Sequence, residues 1–480
     1  MGQATSARAR KVTDAEGTTR PTREERMDRG RSARRAVPRA GQAEFTPAPD
    51  RPDPLGLLEK QAQQRVQELL PIRYGRMAAS PFAYFRGAAL PMASDLAGTQ
   101  STGLVVQCCG DAHMTNFGVF ASPERRLVFD VNDFDETLPG PWEWDVKRLA
   151  TSIEIAGRDN GYPPKTRREI VTATVAAYRR AMREFADMTT LEVWYAHADM
   201  DSVQARVDEH LDRERRKRLA RSMAKARTRD NLGALTRYAG VKDGQAAILA
   251  DPPLVVPVAD LAGAGTDPDQ LLSQLQAMLM DYGECLEPER RALLDQYRLV
   301  DFARKVVGVG SVGTRAFIAL LLGDDDRDPL FLQAKEAGPS VLEEFVGASE
   351  YDPGRRVVVG QRLMQAVGDI FLGWVRVQGF DGQSRSFYVR QLRDWKGSAD
   401  VEVMVPKGML AYGELCGWTL ARAHARTGDR VAIASYLGAG TTFERAIAEF
   451  ARAYADQNEL DHAALVEAIG SGRIDAVAGV

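Results

Sequence analysis

Lys305-Val306-Val307-Gly308-Val309-Gly310-Ser311-Val312-Gly313-Thr314-Arg315, then an apolar run Ala316 to Leu322, a turn at Gly323 to Pro329, and Leu330-Phe331-Leu332-Gln333-Ala334-Lys335-Glu336, is the stretch whose reading decides the fold. A Gly-x-Gly-x-x-Gly run alone is weak, because the same spacing serves glycine turns that open a helix in dinucleotide-binding folds. Here the run after it ends at an acidic Gly-Asp turn and is succeeded by a second short apolar run carrying one lysine. That pattern predicts strand, turn, strand, with the glycine loop free to cover phosphate groups. A lysine inside an apolar strand is costly to bury without an anionic partner. Lys335 is therefore a candidate phosphate ligand, and Gly308, Gly310, Ser311 and Gly313 are candidates to line the same phosphates.

Towards the N-terminus lies a second dense region, Gly110-Asp111-Ala112-His113-Met114-Thr115-Asn116 followed by Phe129-Asp130-Val131-Asn132-Asp133-Phe134-Asp135-Glu136. It reads as loop, strand and loop. Carboxylates this crowded repel one another unless a cation sits among them, which points to Mg²⁺ or Mn²⁺. With Leu127, Phe129 and Val131 on one face of the strand, alternation puts Val128, Asp130 and Asn132 on the other. Asp130 is the leading metal candidate, and Asp133 stands beside it. Asp133, Asp135 and Glu136 equally suit a solvated turn. After Pro139-Gly140-Pro141 a helix is predicted from the spacing of Val146, Leu149, Ala150 and Ile153, with Asp145 in its first turn. Asp145 either supports the preceding loop through its amides or is a plain helix-terminal acid.

The remaining chain bounds the surroundings. At 480 residues it exceeds one ordinary core, and a net charge of −3 gives no global argument for a nucleic-acid or membrane partner. The four cysteines, Cys108, Cys109, Cys285 and Cys416, form no Cys-x-x-Cys pair, so neither a zinc site nor a disulfide framework is indicated and a cytoplasmic location is expected. No apolar stretch reaches the roughly 18 residues of a spanning helix. Residues 1–54 are expected to be a disordered basic arm and Pro-rich linker, since large apolar residues are almost absent there. Leu57 to Leu70 predicts an amphipathic helix. Arg73, Arg76 and Arg86 interleave with aromatics and either hold phosphate or cover an aromatic core. The basic block Arg213 to Arg229 reads as a solvated helix rather than a docking face.

The run Gly110-Asp111-Ala112-His113 with Asn116 resembles the catalytic loop of the aminoglycoside-phosphotransferase and protein-kinase-like superfamily, and Asp130 resembles its metal-binding acid. Residues from about 55 to 470 also resemble the bacterial family catalogued as domain of unknown function 2252. That second likeness rests on Ser80-Pro81-Phe82, Gly110-Asp111-Ala112-His113, Asn132-Asp133-Phe134-Asp135, Trp142-Glu143-Trp144-Asp145, Lys335-Glu336-Ala337 and Arg390-Gln391-Leu392-Arg393-Asp394. The first likeness implies ATP and Mg²⁺ as cofactors. It implies Asp111 as the catalytic aspartate that accepts or orients the proton of an attacking hydroxyl, Asn116 and Asp130 as metal ligands, and Lys335 with the glycine loop as nucleotide ligands. His113 would shape the loop.

Three departures accompany this resemblance. Kinases place the glycine loop and lysine before the catalytic acid, whereas here they follow it, so the lobe order is permuted. Cys109 stands where many relatives carry His. No glutamate occupies the helix after Lys335, where Gln361 and Arg362 stand instead, and Glu343 and Glu344 come too soon. The fold expectation is α+β, a two-lobed kinase-like fold in permuted order. Residues 55–160 would carry the catalytic loop and metal site, 161–300 the helical part of the larger lobe, 301–400 a small antiparallel nucleotide lobe, and 401–480 the completing helices, with Ala411 to Arg426 as the helix that ordinarily precedes the catalytic loop. The expected activity is phosphotransfer to a small-molecule or protein acceptor. Two alternatives stay open: a metal-dependent phosphoesterase using Asp111, His113, Asp130 and Asp133, and a nucleotide-binding module without chemistry.

Overall fold

The computed structural model describes residues 21–479 apart from 202–220, 222, 229, 243–244, 262–267, 307, 326, 379–381 and 393. It is a mixed α+β structure in which a helical body carries short antiparallel strands and a separate six-stranded sheet follows in the chain. Among the described residues no helix is long and apolar enough to cross a membrane.

Residues 1–20 of the expected disordered arm lie outside the described residues, and within 21–54 the first described element is a helix. Helix α1, Arg23–Ala36, starts with a capping box in which Thr22 and Glu25 satisfy each other's backbone amides. It lies against the helix Arg430–Leu437 so closely that a Cβ on Gly30 would fall 2.1 Å from the Ala432 carbonyl. Its arginines are partners of that helix: Arg26 pairs with Asp429 at 2.7 Å, and Arg34 donates to the Ser435 carbonyl. Small residues and arginines that bond to that helix replace the large apolar side chains whose absence suggested disorder. The predicted helix over Leu57 to Leu70 is also interrupted. Helix α2, Pro54–Ala62, stops short of Leu70, and α3, Leu70–Ala78, begins anew with Pro71 in its first turn.

The helical body surrounds α4, Trp142–Asp159, which begins directly after strand Leu138–Pro141 as predicted. Its fully buried Trp142 stacks on Tyr178 of the helix Pro164–Asp187 at 5.7 Å. Helix Pro406–Thr427 contains the expected Ala411 to Arg426 segment, and Thr442–Gly470 closes the body. Strands β1, Phe117–Ala121, and β2, Leu127–Val131, form a hairpin with Phe117 opposite Val131. The hairpin brings the ends of the two acidic loops together, because one loop leads into β1 and the other leaves β2.

The six-stranded sheet is antiparallel throughout. Its order is Gly373–Gln378, Ser384–Gln391, β5 (Pro329–Ala337), β4 (Ala316–Leu322), β3 (Arg298–Lys305) and Val255–Pro257. The predicted strand, turn, strand is thus present as β4 and β5, with Ala316 opposite Lys335. The segment 161–300, expected to be mostly helical, also carries strands, since Val255–Pro257 and the start of β3 belong to this sheet and a further hairpin joins Ala239–Lys242 to Gln245–Ile248. Most of the basic block over 213–229 lies outside the described residues. Alternation gives the sheet two different faces: Gln333, Lys335, Tyr388 and Arg390 on one, Leu332, Ala334, Phe387 and Val389 on the other.

Candidate functional site

A cleft of about 380 Å³ lies against the polar face of the sheet, lined by Asp111, His113, Asn116, Asp133, Asp135 and Glu136 from the body and by Gly308, Gly310, Ser311, Lys335 and Arg390 from the sheet segment. Residues from two regions far apart in the chain therefore share one space. Gly313 stands just behind it, in the left-handed conformation at φ +88°, and its carbonyl accepts from the Val66 amide at 2.7 Å. Arg65 donates to the Gly310 and Val312 carbonyls at 3.0 Å and 2.6 Å, so the body fixes the glycine loop over the cleft.

The loop from Cys109 to Asn116 is held by its backbone. Gly110 adopts φ +81°, and a Cβ there would meet the Glu136 carbonyl at 2.2 Å. The amides of Cys109 and Gly110 donate to the two Asp145 oxygens at 2.6 Å and 3.0 Å. His424, fully buried in the helix Pro406–Thr427, bridges Asp145 at 3.1 Å and Tyr178 at 2.9 Å. Asp145 and His424 are thus structural, outside the cleft. Asn116 Nδ2 donates to the Asp111 carbonyl at 2.7 Å, which commits its nitrogen and leaves its oxygen as acceptor.

Asp111 projects into the cleft with one oxygen taking the Arg148 Nε at 2.5 Å. Arg148 is itself anchored by donation to the Phe85 carbonyl at 2.9 Å and by stacking over the Phe85 ring. Burial pushes the Asp111 carboxyl up, and Arg148 opposes that rise. His113 Nε2 lies 3.7 Å from the second Asp111 oxygen, and its Nδ1 faces the Thr115 hydroxyl at 2.9 Å. Burial, then Arg86 and Arg148, hold the imidazole well below its ordinary range, so it is neutral at pH 7.

Asp130, expected as the leading metal ligand, lies outside the cleft. It is 2% exposed and ion-paired with buried Arg422, and it accepts from the Val131 amide at 2.8 Å and the Ala366 amide at 3.2 Å. Alternation placed it on the face opposite Phe129 correctly. That face packs against the helix Pro406–Thr427 and the residues after Met364, so Arg422 supplies the cation that a metal was expected to supply.

The acids that approach Lys335 in the cleft are instead Asp133 and Asp135, beyond the end of β2. Lys335 Nζ lies 3.2 Å from Asp135, 3.8 Å from Asp133 and 3.4 Å from the Ser311 hydroxyl. Asp135 also accepts from the Ser311 hydroxyl at 3.2 Å and from the Tyr388 hydroxyl. Burial acts against ionised Asp135, but Lys335 and Tyr388 outweigh it and hold the carboxyl below its usual range. Asp133 is raised, by burial and then by Asp135. Its Oδ1 is buried without a hydrogen-bond partner, an arrangement that costs free energy unless a cation or donor is present. Glu136 is pushed up to about 7 by burial, against nearby Arg356.

The helix after the lysine strand, Pro353–Met364, offers Lys335 no acid. It presents Arg356, which donates to the Asp135 and Thr137 carbonyls at 2.8 Å and 2.7 Å and so fixes the acidic turn. Glu343 receives the Ser340 amide and Glu344 pairs with Lys60, so neither reaches Lys335. Sequence reasoning missed Asp135, Arg148 and Arg356. The available signal for Asp135 was its place in an acid-rich turn, which a solvated loop explains equally well.

The donor set fits Mg²⁺ in its usual protein setting, where one or two carboxylates act together with substrate phosphates and water. Asp133, with an unused buried oxygen, and Asn116 are the groups of the right kind. Among the described residues no three His, Cys, Asp or Glu side chains are grouped as a complete ligand set.

A family model for an uncharacterised protein conserved in bacteria, DUF2252, matches residues 65–468, and the chain belongs to that family. No curated protein and no solved structure matches it.

Proposed function

We propose that this member of the DUF2252 family is a cytoplasmic ATP- and Mg²⁺-dependent phosphotransferase acting on a hydroxyl-bearing small-molecule or protein acceptor, with a two-lobed kinase-like fold in permuted order. The observation that carries this reading is the convergence of Asp111, Asn116 and Asp133 with Ser311 and Lys335 on one cleft. Kinases hold their nucleotide with a lysine on the third strand of a meander beneath a glycine loop. Here β3, β4 and β5 form the meander, the glycine loop joins its first two strands, and Lys335 is on the third. The acid opposite that lysine in kinases comes from the next helix. In this chain Asp135 takes that part.

Asn116 and Asp133 would hold Mg²⁺, while Lys335 and the amides of the Gly308 to Gly313 loop would hold the phosphates. When bound, the ion supplies charge neutralisation for the moving phosphoryl group. Asp111 has one oxygen fixed by Arg148, and its second oxygen is left to accept and orient the proton of an acceptor hydroxyl. Neutral His113 buttresses that second oxygen. Arg148 and Asp145 keep the loop rigid, and positioning is most of what phosphoryl transfer requires from a protein.

The test is calorimetric titration of Mg·ATP together with an ADP-release assay over an acceptor panel. The expected result is binding by the wild type, loss of binding in Lys335→Ala, and loss of turnover with binding kept in Asp111→Asn. A wild type that binds no Mg·ATP overturns the reading. Tight binding with no phosphorylated product from any acceptor reduces it to a nucleotide-binding module. No observation favours a metal-dependent phosphoesterase, since the expected four-residue ligand set has lost Asp130 to Arg422.

A further inference from the structure

Two of the arginines that interleave with aromatics after Leu70 have different places in the structure. Arg73 is fully buried and donates to the Gln61 side chain at 2.8 Å and to the Gly87 carbonyl at 3.1 Å, so it braces the body. Arg86 is half-buried and lines the cleft. It belongs to the last turn of the short helix Pro81–Gly87, whose start is capped by the Ser80 hydroxyl accepting from the Ala83 amide at 3.1 Å. Arg148 ties this helix to the Asp111 loop, because it bridges the Phe85 carbonyl and the Asp111 carboxylate. The Arg86 backbone also lies against the glycine loop, where a Cβ on Gly310 would fall 3.2 Å from the Arg86 carbonyl. Arg86 thus stands where the loop that would cover the phosphates meets the acid that would take the proton.

The fold makes no use of its guanidinium. Among the described residues the Arg86 side chain makes no hydrogen bond or ion pair, and its Nε is buried without a partner. Burial lowers its pKa, and the Glu402 and Asp111 carboxylates, both beyond ion-pair distance, oppose that fall. Its charge acts on His113 ahead of that of Arg148, which places it on the side of Asp111 that His113 buttresses. An arginine keeps its charge at neutral pH. A buried donor without an acceptor costs free energy, and a planar fork of donors matches the oxygens of a phosphoryl group.

We propose that Arg86 is a catalytic residue that holds the γ-phosphoryl group as it passes from ATP to the acceptor, an inference that rests on the phosphotransfer reading. In that step the acceptor oxygen bonds to the γ-phosphorus and the bond from that phosphorus to the bridging oxygen breaks. Its electron pair leaves on ADP, and the hydroxyl proton goes to Asp111. The moving group carries its charge on three equatorial oxygens. A guanidinium fixed beside both the glycine loop and Asp111 meets that charge without having to reorganise.

The experiment is calorimetric titration of Mg·ADP into the full-length protein with and without aluminium fluoride, a mimic of the phosphoryl group in transit. Aluminium fluoride should tighten wild-type Mg·ADP binding by about a hundredfold. In Arg86→Gln, shown to be folded by its melting transition, Mg·ADP alone should bind as it does to the wild type. The gain from aluminium fluoride should shrink by about tenfold or more, and Arg86→Lys, which keeps the charge without the fork, should give an intermediate gain. A gain unchanged in Arg86→Gln, or absent from a wild type that binds Mg·ADP, overturns the role of Arg86 and leaves the nucleotide site standing. Weakened binding of Mg·ADP alone in Arg86→Gln also overturns it, by making Arg86 a ligand of the bound nucleotide. No Mg·ADP binding by the wild type overturns the phosphotransfer reading and this inference with it.

Discussion

Two halves of one acidic run, the strand end at Asp130 and the turn from Asp133 to Glu136, both carry buried carboxylates and meet different fates. Asp130 is sealed in the body against Arg422, with its oxygens also taken by backbone amides. Asp133 and Asp135 face a lysine from a distant strand across an open cleft, and one Asp133 oxygen has no donor. A carboxylate whose cation is built into the same core is structural. One whose cation comes from a separate sheet, with an oxygen left over, is available to a ligand. The partner, more than the acid, distinguishes the two.

The largest effect is expected where that distinction is broken on the structural side. Arg422→Ala strands the buried Asp130 carboxylate and should cost about 3–5 kcal/mol in urea unfolding. Mg·ATP affinity of the folded fraction should stay at the wild-type value, and a selective loss of affinity would return Asp130 to the site. On the cleft side, Asp111→Asn should lower kcat by about a hundred-fold or more with stability nearly unchanged, read by steady-state kinetics.

Glu136 sharpens the comparison through pH. Its pKa, raised by burial to about 7 from an ordinary 4.5, lies above the unfolded value, so the folded protein keeps a proton that the unfolded chain has released. Stability attributable to this group therefore falls as pH rises from about 4.5 to 7 and is level above. Glu136→Gln should flatten that fall by on the order of 2 to 3 kcal/mol in unfolding experiments across the window. A slope identical to that of the wild type would show that Glu136 is ionised throughout. The smallest effect is expected at Asp145, where Asn keeps an acceptor for one of the two loop amides. A loss of about 1–2 kcal/mol, with a modest drop in kcat, is the outcome to check by thermal unfolding and kinetics.

Much of this arrangement was legible in the sequence. The loop over Asp111 to Asn116, the strand ending at Val131, the helix from Trp142 and the lysine strand all follow from periodicity and turn residues. What was not legible depends on partners distant in the chain. Alternation tells which residues share a face of β2, yet only the position of Arg422 on the helix Pro406–Thr427 tells that Asp130's face is closed. Beyond Val131 no period governs the turn, so Asp135 and a solvated acid look alike until Lys335 is placed against it. Helix α1 escaped notice because it docks through Gly30 and arginines rather than through an apolar stripe.

The measurement that tests the central claim most directly is titration of Mg·ATP into the wild type, Asp133→Asn and Asp130→Asn, each shown to be folded by its melting transition. The account predicts saturable wild-type binding, at least tenfold weaker binding in Asp133→Asn, and wild-type affinity in Asp130→Asn. Weakening in Asp130→Asn with none in Asp133→Asn would contradict it.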